Sequence, residues 1–137
     1  MAIVSQTTVG GSSEITPVLS QDELIRYQKM LRQIPTSDSL MRYAVRLVRA
    51  SRPDNTNIAA IKDYVHWGAG PRASQFLVVA AKVRAALQGH TNPSIEDVQA
   101  VASAVLRHRL VRNFKAEAQN VSAEDLVAQL IAGVPTT

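Results

Sequence analysis

Apolar residues recur at three- and four-residue spacing along most of this chain, with polar residues between them, a pattern that predicts amphipathic helices. The first run holds Leu24, Tyr27, Met30 and Leu31. Ser20 ahead of it, with Glu23 three residues on, makes a capping box, and Pro35 blocks continuation. A helix is therefore expected over about 20–33. Ser37 or Asp38 starts a second helix that runs to about residue 50. Its predicted inner stripe is Met41, Ala44, Val45 and Val48, and its outer side carries Arg42, Arg46 and Arg49. Residues 51–57 read as a polar loop, and a short helix follows around Ile58 to Val65. After Trp67 comes the turn Gly68-Ala69-Gly70, and Pro71 suits the first position of a helix because its missing N–H needs no partner there. That helix is expected to reach Leu87 and stop at Gly89, burying Phe76, Leu77, Ala80, Ala81 and Leu87. Ser94 caps the next helix, with Asp97 in its first turn, and Val98, Val101, Ala102 and Val105 face inward. It is expected to extend to Leu110 or beyond, with His108 and Arg109 holding its last carbonyls. Ser122 caps a last helix that buries Leu126, Val127, Leu130 and Ile131 and ends at Gly133 and Pro135.

These elements predict an all-α chain, a small bundle of five or six antiparallel helices. Residues 1–14 mix Gly, Ser and Thr without a period and read as a flexible lead-in. Residues 15–137 form one helical domain, with Ile15 to Leu19 extended across it because Pro17 excludes helix there.

Composition narrows the function classes. Hydrophobic residues make up 46% of the 137 and aromatics only 4%, so Leu, Val, Ile and Ala must build the core. There is no cysteine, which excludes disulfides and thiolate metal sites. The start of the chain lacks a signal-peptide pattern, and the longest apolar run, Phe76 to Ala81, is far too short to span a bilayer. A cytoplasmic protein with no membrane partner is expected. The formal net charge is +4, which permits an anionic partner without demanding one.

The usual catalytic constellations are missing. His66, His90 and His108 fall on separate elements without ligand spacing, so no metal site is expected. No serine sits in a nucleophile elbow, and Asp22-Glu23 and Glu96-Asp97 read as first-turn charges that complement helix dipoles. No catalytic residue is assigned. None of Lys29, Lys62, Lys82 and Lys115 follows a glycine, so there is no P-loop, and this chain alone cannot hydrolyse ATP. Arg72 stands out. It lies in the first turn of a helix, where a cation opposes the dipole. An arginine there makes sense if an anion visits the helix tip, and Gly68 and Gly70 would let a ligand approach the backbone. Against this stands a plain Gly-Pro helix start with a solvated arginine. The Arg42, Arg46 and Arg49 face has two readings as well: a solvated surface, or a contact for nucleic acid or an acidic protein. Under the second, the chain would be a free-standing helical binding module.

Val65-His66-Trp67-Gly68-Ala69-Gly70-Pro71-Arg72-Ala73 resembles the Gly-Ala-Ser-Pro-Arg-Ala signature of MoxR-family AAA+ ATPases. Ala85-Ala86-Leu87-Gln88-Gly89, Ser94-Ile95-Glu96-Asp97-Val98 and Val105-Leu106-Arg107-His108-Arg109-Leu110 resemble three further segments of that family in the same order. Thr16 to Leu24 is similar to the lead-in to its lid, and Arg49-Ala50-Ser51-Arg52 sits where the family has an arginine after the second lid helix. Gly70 replaces the usual serine, which should loosen the turn, and Gly89-His90-Thr91-Asn92-Pro93 departs from the family's Gly-Arg pattern. The resemblance implies the C-terminal helical lid of a longer ATPase. It implies that Arg72 is the sensor-2 arginine that meets ATP phosphate, that Gly68, Ala69, Gly70 and Pro71 belong to the nucleotide site, and that His66 and Trp67 flank the nucleotide. Implied cofactors are ATP and Mg2+ in the parent protein, with none expected on this chain alone. Implied partners are the AAA+ core of the same protein, neighbouring subunits of a hexameric ring and a von Willebrand factor A domain protein, in chaperone-like maturation of other proteins.

Overall fold

Side-chain caps fix where most of the helices begin. The computed structural model describes residues 16–136, so the expected lead-in over 1–14 lies outside the described residues. Helix α1 spans Gln21–Gln33, α2 Asp38–Ala50, α3 Ala59–Tyr64, α4 Arg72–Leu87, α5 Ile95–Leu106, α6 Phe114–Ala118 and α7 Ala123–Gly133. A 3-10 turn, Pro53–Asn55, follows α2, and two short strands, β1 (Val65–Trp67) and β2 (Val111–Arg112), pair antiparallel. The predicted caps are present. Ser20 and Glu23, Ser94 and Asp97, and Ser122 and Asp125 each form a reciprocal capping box. Gly89 ends α4 with φ of +76°, and His90 N–H donates to the Ala85 carbonyl at 2.9 Å, a Schellman ending. Asn120, with φ of +54°, closes α6 in the same way through Val121 N–H and the Ala116 carbonyl.

Helix α4 lies at the centre, packed against α5, α2 and α1. Its inward line is Ala73, Leu77, Ala81 and Ala85, and the three alanines allow close packing of neighbouring helices. Phe76 and Leu87, expected inside, lie outside: Phe76 is 51% exposed beneath the Arg109 guanidinium, 5.0 Å from its ring centre, and Leu87 is exposed at the helix end. Ala80 is half-buried. On α2 the inner stripe is Leu40, Tyr43, Ala44, Leu47 and Val48, so the expectation of Met41 and Val45 was out of phase by one residue. Both stripes have helical spacing, but the true one carries two leucines and a tyrosine and removes more apolar area from water. The core continues through Ile61, Val98, Ala102, Val105, Leu106, Leu126, Val127 and Leu130. By contrast α1 has no buried residue, and Val18 ahead of it is 96% exposed, so that segment does not pack across the domain as expected.

The all-α prediction holds, with seven α-helices among the described residues rather than five or six. The short helix α6 and the strand pair escaped the periodicity. Helix α5 stops at Leu106, short of Leu110, because the chain must turn to bring Val111 and Arg112 beside β1. Arg109 nevertheless donates to the Val105 carbonyl in the last turn of α5, as the sequence predicted, and also contacts His108. Asn113 locks the corner. Its N–H donates to the Tyr64 carbonyl at 2.9 Å, its Nδ2 donates to the Asp63 carbonyl at 2.8 Å, and its Oδ1 accepts from Ala116 N–H to cap α6.

The capping boxes predict how stability responds to acid. The Ser20 amide and hydroxyl hold the Glu23 carboxyl below its ordinary value, and the Ser122 hydroxyl and amide do the same for Asp125. A carboxyl lowered in the folded state stabilises fully above its unfolded pKa, and that contribution fades as pH falls below about 4. Thermal melts followed by circular dichroism should therefore show the melting temperature declining below that range. The double variant Glu23→Gln, Asp125→Asn should show a shallower decline; an unchanged slope would refute the assignment.

Candidate functional site

The loop before α4 is placed by the end of α2. Ser51 is fully buried and uses its hydroxyl twice: it donates to the Val48 carbonyl at 2.7 Å and accepts from Ala69 N–H at 2.9 Å. The next residue, Arg52, donates from Nε to the Ala69 carbonyl at 3.2 Å. Both polar groups of the Ala69 backbone are thus satisfied by side chains from one dipeptide. Such an approach leaves no room for a side chain between the two segments. A Cβ at Gly68 would lie 2.4 Å from the Ser51 carbonyl oxygen and 2.8 Å from Arg52 N. Gly68 therefore serves packing against Ser51. Gly70 is exposed, and a Cβ there would meet nothing within 4 Å, so the glycine neither fills a gap nor relieves a clash.

From this anchored loop α4 begins without a side-chain cap. Pro71 takes helical angles (φ −56°, ψ −32°), and Ala73 N–H bonds the Gly70 carbonyl at 3.0 Å. No acid occupies the first turn. Arg72 is exposed, and among the described residues it makes no hydrogen bond or ion pair. An uncapped helix start with a cation beside it is electrostatically unfavourable alone and favourable with an anion present. Ser74 turns its hydroxyl back to the Pro71 carbonyl at 2.7 Å, which leaves the outer side of the tip open.

Beside this tip lies a cavity of about 630 Å3. Its walls are the loop Gly68–Pro71, the strand residues Val65, His66 and Trp67, the segment Arg52–Asn55, and Asn113. The structure thus brings Gly68, Ala69, Gly70 and Pro71 together with His66 and Trp67 on one concavity, with Arg72 next in the chain. His66 and Trp67 are both exposed. Arg42, Arg46 and Arg49 lie elsewhere, on the side of α2 opposite its core stripe; Arg42 and Arg49 are exposed and Arg46 is half-buried. They line no wall of this cavity. Among the described residues no group of three or more His, Asp or Glu could hold a metal ion, and no helix is long and apolar enough to cross a membrane.

Sequence reasoning missed Ser51, Arg52, Asn55 and Asn113 as parts of this region. Ser51 carried one signal: a small polar residue one turn beyond Leu47 falls on the buried stripe of α2, where a hydroxyl needs a partner. The others are brought in by long-range packing, which no local pattern encodes.

Comparison with known proteins bears on the same region. A family model described as AAA lid domain matches residues 58–130. The chain is 34% identical over 118 residues to Chaperone MoxR1 of Mycobacterium tuberculosis, covering 85% of this chain and 31% of that protein. It is 26% identical over 120 residues to the uncharacterized protein YeaC of Bacillus subtilis, covering 88% of this chain and 35% of that one. The crystal structure of a protein described as a candidate ATPase, from Cytophaga hutchinsonii, superposes with a TM-score of 0.83 at 25% identity, covering 94% of this chain and 39% of that one. The chain spans about a third of the length of the curated relatives it matches.

The anchored loop yields two stability predictions. Ser51→Ala should cost about 1–3 kcal/mol, because it strands the buried Ala69 N–H. Gly68→Ala should cost a similar amount or more through overpacking, about 1–3 kcal/mol, whereas Gly70→Ser should stay within about 0.5 kcal/mol of the parent. Urea unfolding of the three variants measures all of this, and equal stability of Gly68→Ala and Gly70→Ser would contradict the packing described.

Proposed function

The chain belongs to the AAA lid domain family, of the MoxR type, and from that premise we propose that Arg72 is a sensor-2 arginine that meets the terminal phosphate of ATP bound between this lid and an α/β core. The observation that carries the reading is the start of α4: an uncapped helix tip, free of acids, with an exposed arginine that has no partner among the described residues. A triphosphate supplies the negative charge this tip lacks. Arg72 suits it because a guanidinium stays charged and presents forked donors to phosphate oxygens.

The packing supports a mechanical role. Arg72 is the first residue of α4, and α4 packs against α5, α2 and α1. A pull on the guanidinium is therefore a pull on the bundle. The preceding loop cannot absorb it by slack, because Ser51 and Arg52 tie Ala69 to the end of α2. Loss of the terminal phosphate would release the contact and let the lid turn as a body, so the chemical state of the nucleotide sets lid position. Mg2+ would be held by the core, since Asp54 is the only carboxylate among the cavity wall residues. The parent protein is read as an ATPase that works in a ring of neighbouring subunits in the cytoplasm. Its chaperone-like role, with a von Willebrand factor A domain partner, follows from the family resemblance and from the name of the MoxR1 relative.

Arg72→Ala in the full-length parent should leave thermal stability unchanged and cut ATP turnover about tenfold or more. Arg72→Lys should recover only part of it, because an ammonium lacks the forked geometry. Wild-type turnover in Arg72→Ala would remove the phosphate-sensing role.

A further inference from the structure

Helix α4 is apolar on two sides, and the bundle covers only one. Ala73, Leu77, Ala81 and Ala85 face the core. A second line, Phe76, Ala80, Val83 and Leu87, recurs in alternating four- and three-residue steps, the spacing by which one helix presents a seam to another. None of its members is buried: Phe76 and Leu87 are exposed, and Ala80 and Val83 are half-buried. Apolar side chains gathered on one exposed line, rather than scattered, mark a surface that meets a partner.

Beside this line α4 and α5 bound a groove of about 540 Å3, lined by Ala80, Val83, Arg84, Leu87, Gln88 and Val101. Val101 comes from α5, and the exposed Ala104 lies one turn further along that helix. The α4 seam spans about 16 Å, or three helical turns. That length, between two helical walls, suits an amphipathic helix laid with its apolar face down.

Charge selects among such helices. No carboxylate lines the groove, and its one ionised residue is Arg84. Arg84 pairs with Asp97 at 3.7 Å, the only polar contact of its side chain among the described residues. Asp97 is buried and already engaged by the Ser94 N–H and hydroxyl. Most of the five guanidinium donors of Arg84 are therefore unspent. At the other end of the seam Arg109 lies over Phe76, 5.0 Å from its ring centre. A cation thus stands toward each end of the apolar strip, so an acidic helix is attracted along it and a basic one repelled.

We propose that this groove is a docking site for an acidic amphipathic helix of a partner protein: its apolar side chains seat along Phe76, Ala80, Val83 and Leu87, and its carboxylates meet Arg84 and Arg109. The groove shares no lining residue with the cavity at the start of α4. Leu87 ends the helix that Arg72 begins, about 22 Å away. Docking here is independent of whether Arg72 meets phosphate.

The probe is a synthetic peptide of about 18 residues, long enough to form helix, with leucines at helical spacing and glutamates between them. A second peptide keeps the leucines and carries lysine for every glutamate. Titrated into the 15N-labelled 137-residue chain, the acidic peptide should shift the amide signals of Val83, Leu87 and Val101 and leave those of Arg72 and Ala73 still. The lysine peptide should bind about tenfold more weakly. Leu87→Glu, an exposed change at the helix end, should lower affinity for the acidic peptide about tenfold and leave the thermal melt unchanged. Arg84→Gln should narrow the gap between the two peptides. Equal binding of both peptides, or shifts that miss the groove, overturns the proposal. So does sedimentation in which the free chain self-associates and Leu87→Glu disperses it, because the occupant is then a second copy.

Discussion

The Ser51 hydroxyl sits between two segments that would otherwise have no reason to stay together. It completes the last turn of α2 by donating to Val48 and accepts the N–H of Ala69, all without access to water. Buried hydrogen bonds of this sort add modest net stability but are costly to break, so they act as position pins. Because Gly68 has no side chain, the pin is short: the two backbones are in contact. The site inherits its geometry from this junction. The direction of α4, the exposure of Arg72 and the shape of the cavity floor all follow from where Ala69 is held.

Much of the fold was legible in the sequence, and for physical reasons. Serines followed three residues later by acids marked two helix starts, because that spacing lets each side chain satisfy the other's free N–H, and Ser122 marked a third. Gly89 marked a helix end because it adopts the left-handed angles at no steric cost. What failed were phase and long-range pairing. Helix α2 carries apolar residues around much of its circumference, so two overlapping stripes fit the period, and only packing chose between them. Phe76 and Leu87 were misplaced because apolar identity alone does not say that α4 turns its alanines inward. A strand pair of three and two residues is too short to show alternation, and its register depends on Asn113, fifty residues from the Asp63 it bonds.

The site was read unevenly. The sequence singled out Arg72 through its electrostatic awkwardness and Gly68 to Pro71 through their composition. It could not foresee that the two glycines do opposite things. Gly68 is needed for contact with Ser51, while Gly70 faces open space, where a serine would fit without rearrangement. Nor could it gather Arg52, Asn55 and Asn113 around the same concavity. Those residues become neighbours only once α2, the 3-10 turn and the strand pair have taken their places, and each is polar for a local reason that looks complete by itself.

Gly133, in the last turn of α7, has a role that extends beyond ending a helix. The side chain of Ile58 occupies the space its Cβ would take, at 2.7 Å. Ile58 immediately precedes α3, and α3 runs straight into β1. The two ends of the bundle therefore mesh like a tooth in a notch, and the notch is one hydrogen atom deep. Drift at position 133 toward any larger residue would be transmitted along α3 to the strand that carries Trp67. A position that lines no wall of the cavity is in this way under the same steric discipline as the cavity itself.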